Sequence, residues 1–116
     1  MKIGSRQIFG DKKLLLASAS PRRRELLGMI GIEVHQAAVK DVDESYPCDM
    51  LPEDVAPFIS RKKAEAYADE LMPDEILITA DTVVIDGGKV LGKPSDEADA
   101  VAMLRELSGH THKVVT

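Results

Sequence analysis

The stretch Lys13-Leu14-Leu15-Leu16-Ala17-Ser18-Ala19-Ser20-Pro21-Arg22-Arg23-Arg24-Glu25-Leu26-Leu27 decides the fold class of this chain. Leu14 to Ala17 is an apolar run of strand length, Ser18 to Pro21 has turn chemistry, and Pro21 to about Met29 suits a helix. Strand, short loop and helix in direct succession are the opening unit of an α/β sheet. Ser20 stands where a helix N-cap belongs and Pro21 at the first helical position, so the N–H groups of the opening turn point out of the helix end. Such an end attracts anions. Arg22, Arg23 and Arg24 follow in the same turn, where the helix dipole disfavours each cation by roughly 0.3–1 kcal/mol. A phosphate held by arginine forks and by the Ser18 and Ser20 hydroxyls resolves the conflict. The ordinary alternative is three solvated arginines on a surface helix.

Outward from this unit the pattern continues. Residues 1–12 are polar and patternless and read as a loose tail or an edge segment. Gly31 ends the first helix, Ile32 to Val39 suits a second strand, and Lys40 to Pro52 is a turn-rich loop carrying Asp41, Asp43, Glu44 and Asp49. Glu53 to Leu71 is an amphipathic helix with Val55, Ala56, Ile59, Ala66, Tyr67 and Leu71 on its apolar side. Glu75 to Ala80 is almost continuously apolar, as expected of a central strand covered on both faces. Asp86-Gly87-Gly88 between Thr82–Ile85 and Lys89–Leu91 signals a hairpin. Ser95 or Asp96 caps a last helix through Leu107, terminated by Gly109, and His112 to Thr116 begins another strand with no later partner for it. The order β-α-β-α-β-β-α-β predicts an α/β fold with a mixed sheet flanked by helices.

Composition narrows the function classes. With 44% hydrophobic and 30% charged residues the chain suits one globular core, built from aliphatic residues because it holds two Phe, two Tyr and no Trp. A net charge of -5 argues against coating nucleic acid or anionic lipid. No apolar run approaches the roughly 20 residues that cross a bilayer. The segment Lys12 to Ser20 imitates a signal peptide only faintly, being too short and running into Pro21 and the arginines. The single cysteine, Cys48, has no partner for a disulfide, which favours a reducing cytoplasm.

Other residues stand out against their surroundings. Lys63 projects into the apolar stripe of its helix at 100° per residue; snorkelling of its stem is the ordinary explanation, and Lys62 reads as solvated. Asp81 lies between Ile76–Ala80 and Thr82–Ile85, where a bare carboxylate is costly to bury and calls for a partner or a metal. It stands at the strand end where open α/β sheets place ligands, although a turn carboxylate is the plain alternative. Glu44 could supply a second oxygen to Mg²⁺ or remain a solvated loop charge. Lys93, rigidly set between Gly92 and Pro94, can face a phosphate or solvent. His110 and His112 lack a third ligand, so a metal pair there is disfavoured.

Taken together, Ser18-Ala19-Ser20-Pro21-Arg22-Arg23, Glu25-Leu26-Leu27, Asp43-Glu44, Lys63-Ala64, Ala80-Asp81-Thr82-Val83, Leu91-Gly92-Lys93-Pro94 and Leu107-Ser108-Gly109 with His112 resemble the Maf family. The resemblance runs from Leu14 to the end of the chain. It implies a mixed α/β architecture similar to that of inosine-triphosphate pyrophosphatases, and metal-dependent hydrolysis of a nucleoside triphosphate to monophosphate and pyrophosphate. It also implies Mg²⁺ or Mn²⁺ as the metal and a cytoplasmic protein that binds neither nucleic acid nor membrane, and it leaves a homodimer open. By the same resemblance Ser18, Arg22, Arg23, Lys63, Thr82 and Lys93 fall on substrate-contacting positions. Glu44 and Asp81 fall on metal and catalytic positions, with Lys63 beside them in the catalytic set. Arg23 and the pair Asp81-Thr82 resemble the branch acting on dTTP and UTP; the 7-methyl-GTP branch tends to carry Trp at the position of Arg22 and Gln at that of Thr82. The family's later part, with its Asp-Lys-Ala-Gly-x-Tyr-x-Ile-Gln-Gly stretch, is absent. Residues 13–116 are therefore expected to be the N-terminal part of a single domain truncated at its C-terminal side. Two other roles suit the same features: a nucleotide-sensing regulator of septation, and a purine-selective house-cleaning pyrophosphatase.

Overall fold

The computed structural model describes residues 8–92 and 95–116. From Lys13 onward the described elements follow in the order β1 (Lys13–Leu16), α1 (Pro21–Met29), β2 (His35–Gln36), α2 (Pro52–Tyr67), β3 (Glu75–Ile78), β4 (Val83–Asp86), β5 (Lys89–Leu91), α3 (Glu97–Leu107) and β6 (Lys113–Val115), and α2 continues into a 3-10 turn at Ala68–Glu70. This is the expected order of elements. Both parallel and antiparallel pairing occur, but in separate three-stranded sheets, β2-β1-β3 and β5-β4-β6. The chain forms two compact units, one drawn from Met1–Glu44 and Ser60–Ala80, the other from Ser45–Ile59 and Asp81–Thr116.

In the first unit β1 runs parallel to both its neighbours, pairing Leu15 with His35 on one side and Leu15 with Leu77 on the other. The central strand is thus β1, and β3, expected at the centre, lies at an edge of this sheet with all its residues half-buried. A continuous apolar run reports burial but not which neighbours supply it. Leu14, Leu16, Ile32 and Val34 form the buried core, with Phe9, Leu27, Ile76 and Ile78 packed against it. Phe9 thereby ties down part of the N-terminal dozen expected to be a loose tail. The predicted strand over 32–39 shortens to His35–Gln36: the alternation that buries Ile32 and Val34 precedes the paired residues and ends at Gln36, which is exposed like His35.

Helix α1 ends as its glycine requires. Gly31 adopts φ +84, its N–H bonds to Gly28 O at 3.0 Å, and the Ile32 N–H reaches Leu27 O at 2.9 Å. This crossed pair of bonds is a Schellman closure, and buried Ile32 packs in the same cluster as Leu27.

In the second unit Val55, Ala56 and Ile59 from the first half of α2 are buried with Val83 and Ile85 of β4. Ala66, placed on the apolar side of α2 by its spacing, is exposed, whereas Tyr67 is buried. Gly87 and Gly88 take φ +58 and +77, the two left-handed positions of a type I′ turn, and join β4 to β5 as predicted. Asp96 caps α3 by accepting from the Asp99 N–H at 2.7 Å. The last strand does have a partner: β6 pairs antiparallel with β4, Val83 opposite Val115 and Val84 opposite Val114. A residue-by-residue reading looks for a partner further along the chain, but β4 supplies one from behind.

Candidate functional site

The residues singled out from sequence fall into three groups. In the first unit, Ser18 follows the end of β1 and is buried, 9% exposed. Its Oγ accepts the Ser20 N–H at 3.2 Å, which folds the loop into a serine turn, and accepts Arg23 Nη1 at 3.0 Å. Its carbonyl accepts Gln36 Nε2 at 2.9 Å. Ser20 is the N-cap residue of α1 as expected, but its hydroxyl makes no cap bond, and the Ser18 side chain is the one that shapes the helix entrance. The opening-turn N–H groups thus keep their capacity for an anion.

The three arginines divide. Arg22 and Arg24 are exposed, whereas Arg23 is half-buried and turns inward, with Nη1 also reaching Ala80 O at 3.4 Å. Arg23 is therefore a structural tie between the Ser18 loop and the end of the chain segment leading to Asp81, as well as a candidate for substrate contact. A phosphate was expected to meet the charge of this arginine cluster; for Arg23 the chain itself supplies two acceptors. Ser18 Oγ and the Ala80 carbonyl offset the dipole penalty on the Arg23 charge.

The second group joins helix α2 to the acidic loop. Lys63 Nζ lies 3.1 Å from Glu44 Oε1, and Lys62 Nζ lies 3.7 Å from Asp43 Oδ2. The two lysine side chains are 20% and 27% exposed, so both are held rather than solvated, including Lys62. Pairs this accessible contribute about 0.2–1 kcal/mol each; their importance is that they fix where charges sit. The doublets Asp43-Glu44 and Lys62-Lys63 were visible in sequence, and their complementary charges are the signal that could have paired them. Ser60 and Thr79 also meet in this unit through their hydroxyls at 3.2 Å.

The third group lies in the second unit. Asp81 is half-buried just before β4, and Thr82 is exposed with Oγ1 3.0 Å from Thr116 Oγ1. Lys93 lies outside the described residues. His110 Nδ1 stands 3.9 Å from Asp86 Oδ2. Among the described residues no buried side-chain nitrogen or oxygen lacks a hydrogen-bond partner.

Carboxylate oxygens are the donors that hard divalent cations take. Glu44 in the first unit and Asp81 in the second each carry such oxygens, and Mg²⁺ is ordinarily held by one or two carboxylates together with water and substrate phosphates. A ready-made set of three His, Cys, Asp or Glu ligands, which the described residues do not form, is not needed for that mode.

The chain resembles proteins of known name along most of its length. It is 50% identical over 104 residues to a dTTP/UTP pyrophosphatase of Bacteroides thetaiotaomicron, covering 90% of this chain and 54% of that protein. It is 52% identical over 106 residues to a dTTP/UTP pyrophosphatase of Porphyromonas gingivalis, covering 90% of this chain and 53% of that protein. A dTTP/UTP pyrophosphatase of Flavobacterium psychrophilum is 36% identical over 111 residues, covering 96% and 56% respectively. The chain thus spans about half the length of the curated relatives it matches. The family model described as Maf-like protein matches residues 13–116. With the strand-loop-helix of Ser18 and Arg23, the Glu44–Lys63 pair and the Asp81 turn all inside the matched region, the chain belongs to the Maf-like protein family.

Proposed function

We propose that the protein containing this chain hydrolyses nucleoside triphosphates, dTTP and UTP foremost, to the monophosphate and pyrophosphate. The observation that carries this reading is the identity of about half the residues, over nine-tenths of the chain, to relatives named dTTP/UTP pyrophosphatase. The arrangement of charges supports it. The exposed Arg22 and the open N-terminus of α1 suit phosphate oxygens, and the Ser18–Arg23 contact sets the shape of the loop between them.

In this reading water attacks the α-phosphorus; a new P–O bond forms as the bond from the α-phosphorus to the bridging oxygen breaks, and pyrophosphate leaves. Asp81 orients or deprotonates the water, and Arg22, Lys63 and Lys93 neutralise charge gathering on the leaving group. Arg23 and Thr82 belong to the substrate side of the same proposal. Glu44 and Asp81 would hold Mg²⁺ or Mn²⁺, which when bound supplies charge neutralisation at the phosphates. Lys63 keeps the Glu44 carboxylate oriented until substrate arrives. A cytoplasmic setting accords with a nucleotide substrate and with the exposed free thiol of Cys48. Among the described residues no helix is long and apolar enough to cross a membrane.

The test is phosphate release coupled to inorganic pyrophosphatase, run on the intact protein across common and modified triphosphates with Mg²⁺ and Mn²⁺. Preference for dTTP and UTP supports the reading; a purine preference, or binding without turnover, rejects it.

A further inference from the structure

One turn beyond Lys63 on α2 stands a tyrosine that its spacing presents only as a core residue. Tyr67 is 7% exposed, and its hydroxyl uses both of its capacities on the backbone of a distant segment. It donates to Ala38 O at 2.7 Å and accepts the Lys40 N–H at 3.0 Å. These two groups flank Val39, where the chain has left β2 and enters the acidic loop. Val39 itself is 68% exposed, so its own packing does not hold the backbone there.

Lys40 closes the grip from the other side. Its ammonium lies 5.1 Å from the centre of the Tyr67 ring, a cation–π distance, donates to Ala66 O at 2.9 Å and pairs with Glu70. Ala66 O is one of the last carbonyls of α2, at the negative end of the helix.

Four residues after Lys40, Glu44 meets Lys63. Lys63 and Tyr67 are spaced i, i+4 and share a helix face. The same face of α2 thus holds the loop at its root through a buried phenol and at its tip through an ion pair. The two grips respond differently to ligand. The tip must loosen if Glu44 turns to a metal or Lys63 to a phosphate, whereas the root uses neutral hydrogen bonds that no phosphate or cation competes for.

We propose that Tyr67 is a positioning residue for Glu44: its hydroxyl fixes the backbone at residues 38–40 so that the Glu44 carboxylate stays placed when the Lys63 pair opens. The proposal rests on the function above in giving Glu44 its metal and catalytic role. A partner of this kind, acting through a ligating side chain, is typically worth ten- to a hundredfold in metal affinity or activity, so about that loss is expected here.

The test is Tyr67→Phe in the intact protein. Melting temperature should change little, since water can replace the phenol at backbone groups that are exposed or half-buried. Without metal or nucleotide, amide exchange across residues 38–44 should quicken. With dTTP the variant should lose kcat and need more Mg²⁺ for half-maximal rate, while KM stays near that of the parent. In a Glu44→Gln background the same substitution should cost little further residual turnover, because the group it positions is already disabled. Full additivity in that cycle, or unchanged exchange and unchanged Mg²⁺ dependence, overturns the proposal. A parent protein that turns over no triphosphate removes the proposed function instead. Exchange across 38–44 then decides alone: faster exchange in Tyr67→Phe keeps the hydroxyl as the fastening of this loop, and unchanged exchange rejects it.

Discussion

Arg23 Nη1 lies 3.0 Å from Ser18 Oγ, five residues earlier, and 3.4 Å from the carbonyl of Ala80, fifty-seven residues later. One guanidinium therefore fastens the loop after β1 to the segment that ends immediately before Asp81. Arg22, its neighbour in the chain, is exposed at the start of the same helix.

Arg22 and Arg23 should consequently behave as different kinds of residue. Arg23→Ala removes hydrogen bonds from partly buried partners and should cost about 1–3 kcal/mol of stability, together with weaker nucleotide binding. Arg22→Ala should leave the melting temperature unchanged or slightly raised, since it relieves repulsion at a helix N-terminus worth about 0.3–1 kcal/mol, yet should weaken triphosphate binding. Calorimetric melting beside nucleotide titration checks both. Equal melting temperatures for the two variants would contradict the division.

Asp81→Asn should abolish nearly all turnover while leaving nucleotide binding in place, because the cations proposed to grip phosphate remain. Pyrophosphate release and equilibrium binding of dTTP, measured on the same preparation, separate the two effects. Turnover within a few-fold of the parent would take Asp81 out of the mechanism.

The Lys63–Glu44 pair should matter far more to activity than to stability. Lys63→Met should shift folding stability by less than about 1 kcal/mol, as for other accessible ion pairs, but reduce kcat/KM by orders of magnitude if Lys63 meets the leaving phosphates. Denaturant melts and steady-state kinetics provide the comparison. A fall in stability matching the fall in activity would mark the pair as structural only.

Leu16, 1% exposed on the central strand β1, gives a control away from the chemistry. Leu16→Ala should cost about 2–5 kcal/mol through lost burial and the cavity left behind. The drop should appear in thermal melts without ligand. A cost under 1 kcal/mol would mean that the core around Leu14, Leu16, Ile32 and Val34 is not packed as described.

Much of the fold was legible because its signals are local. The end of α1 at Gly31, the turn at Gly87-Gly88 and the Asp96 cap each depend on a few neighbouring residues whose backbone freedom or hydrogen-bonding groups leave little choice. The candidate residues were legible for a related reason: Lys63 and Asp81 conflict with their own apolar surroundings, and such conflicts show in a single chain. What stayed hidden were partners. Gln36 carries no pattern that announces its bond to Ser18, and Tyr67 looks like any aromatic on a buried stripe until Ala38 and Lys40 are seen beside its hydroxyl.

The sequence by itself determined the order of strands and helices, the caps and turns that bound them, and the residue types available for binding phosphate and metal. All of these follow from contacts within a helical turn or a two-residue loop. Tertiary structure alone decided that β1 rather than β3 is the central strand of its sheet, that β6 finds its partner in β4, and that Arg23 faces inward while Arg22 faces solvent. The physical reason is that an apolar run or a cation states what a segment needs. Which distant backbone or side chain meets the need depends on closing long loops, and that closure is settled by the packing of the whole chain.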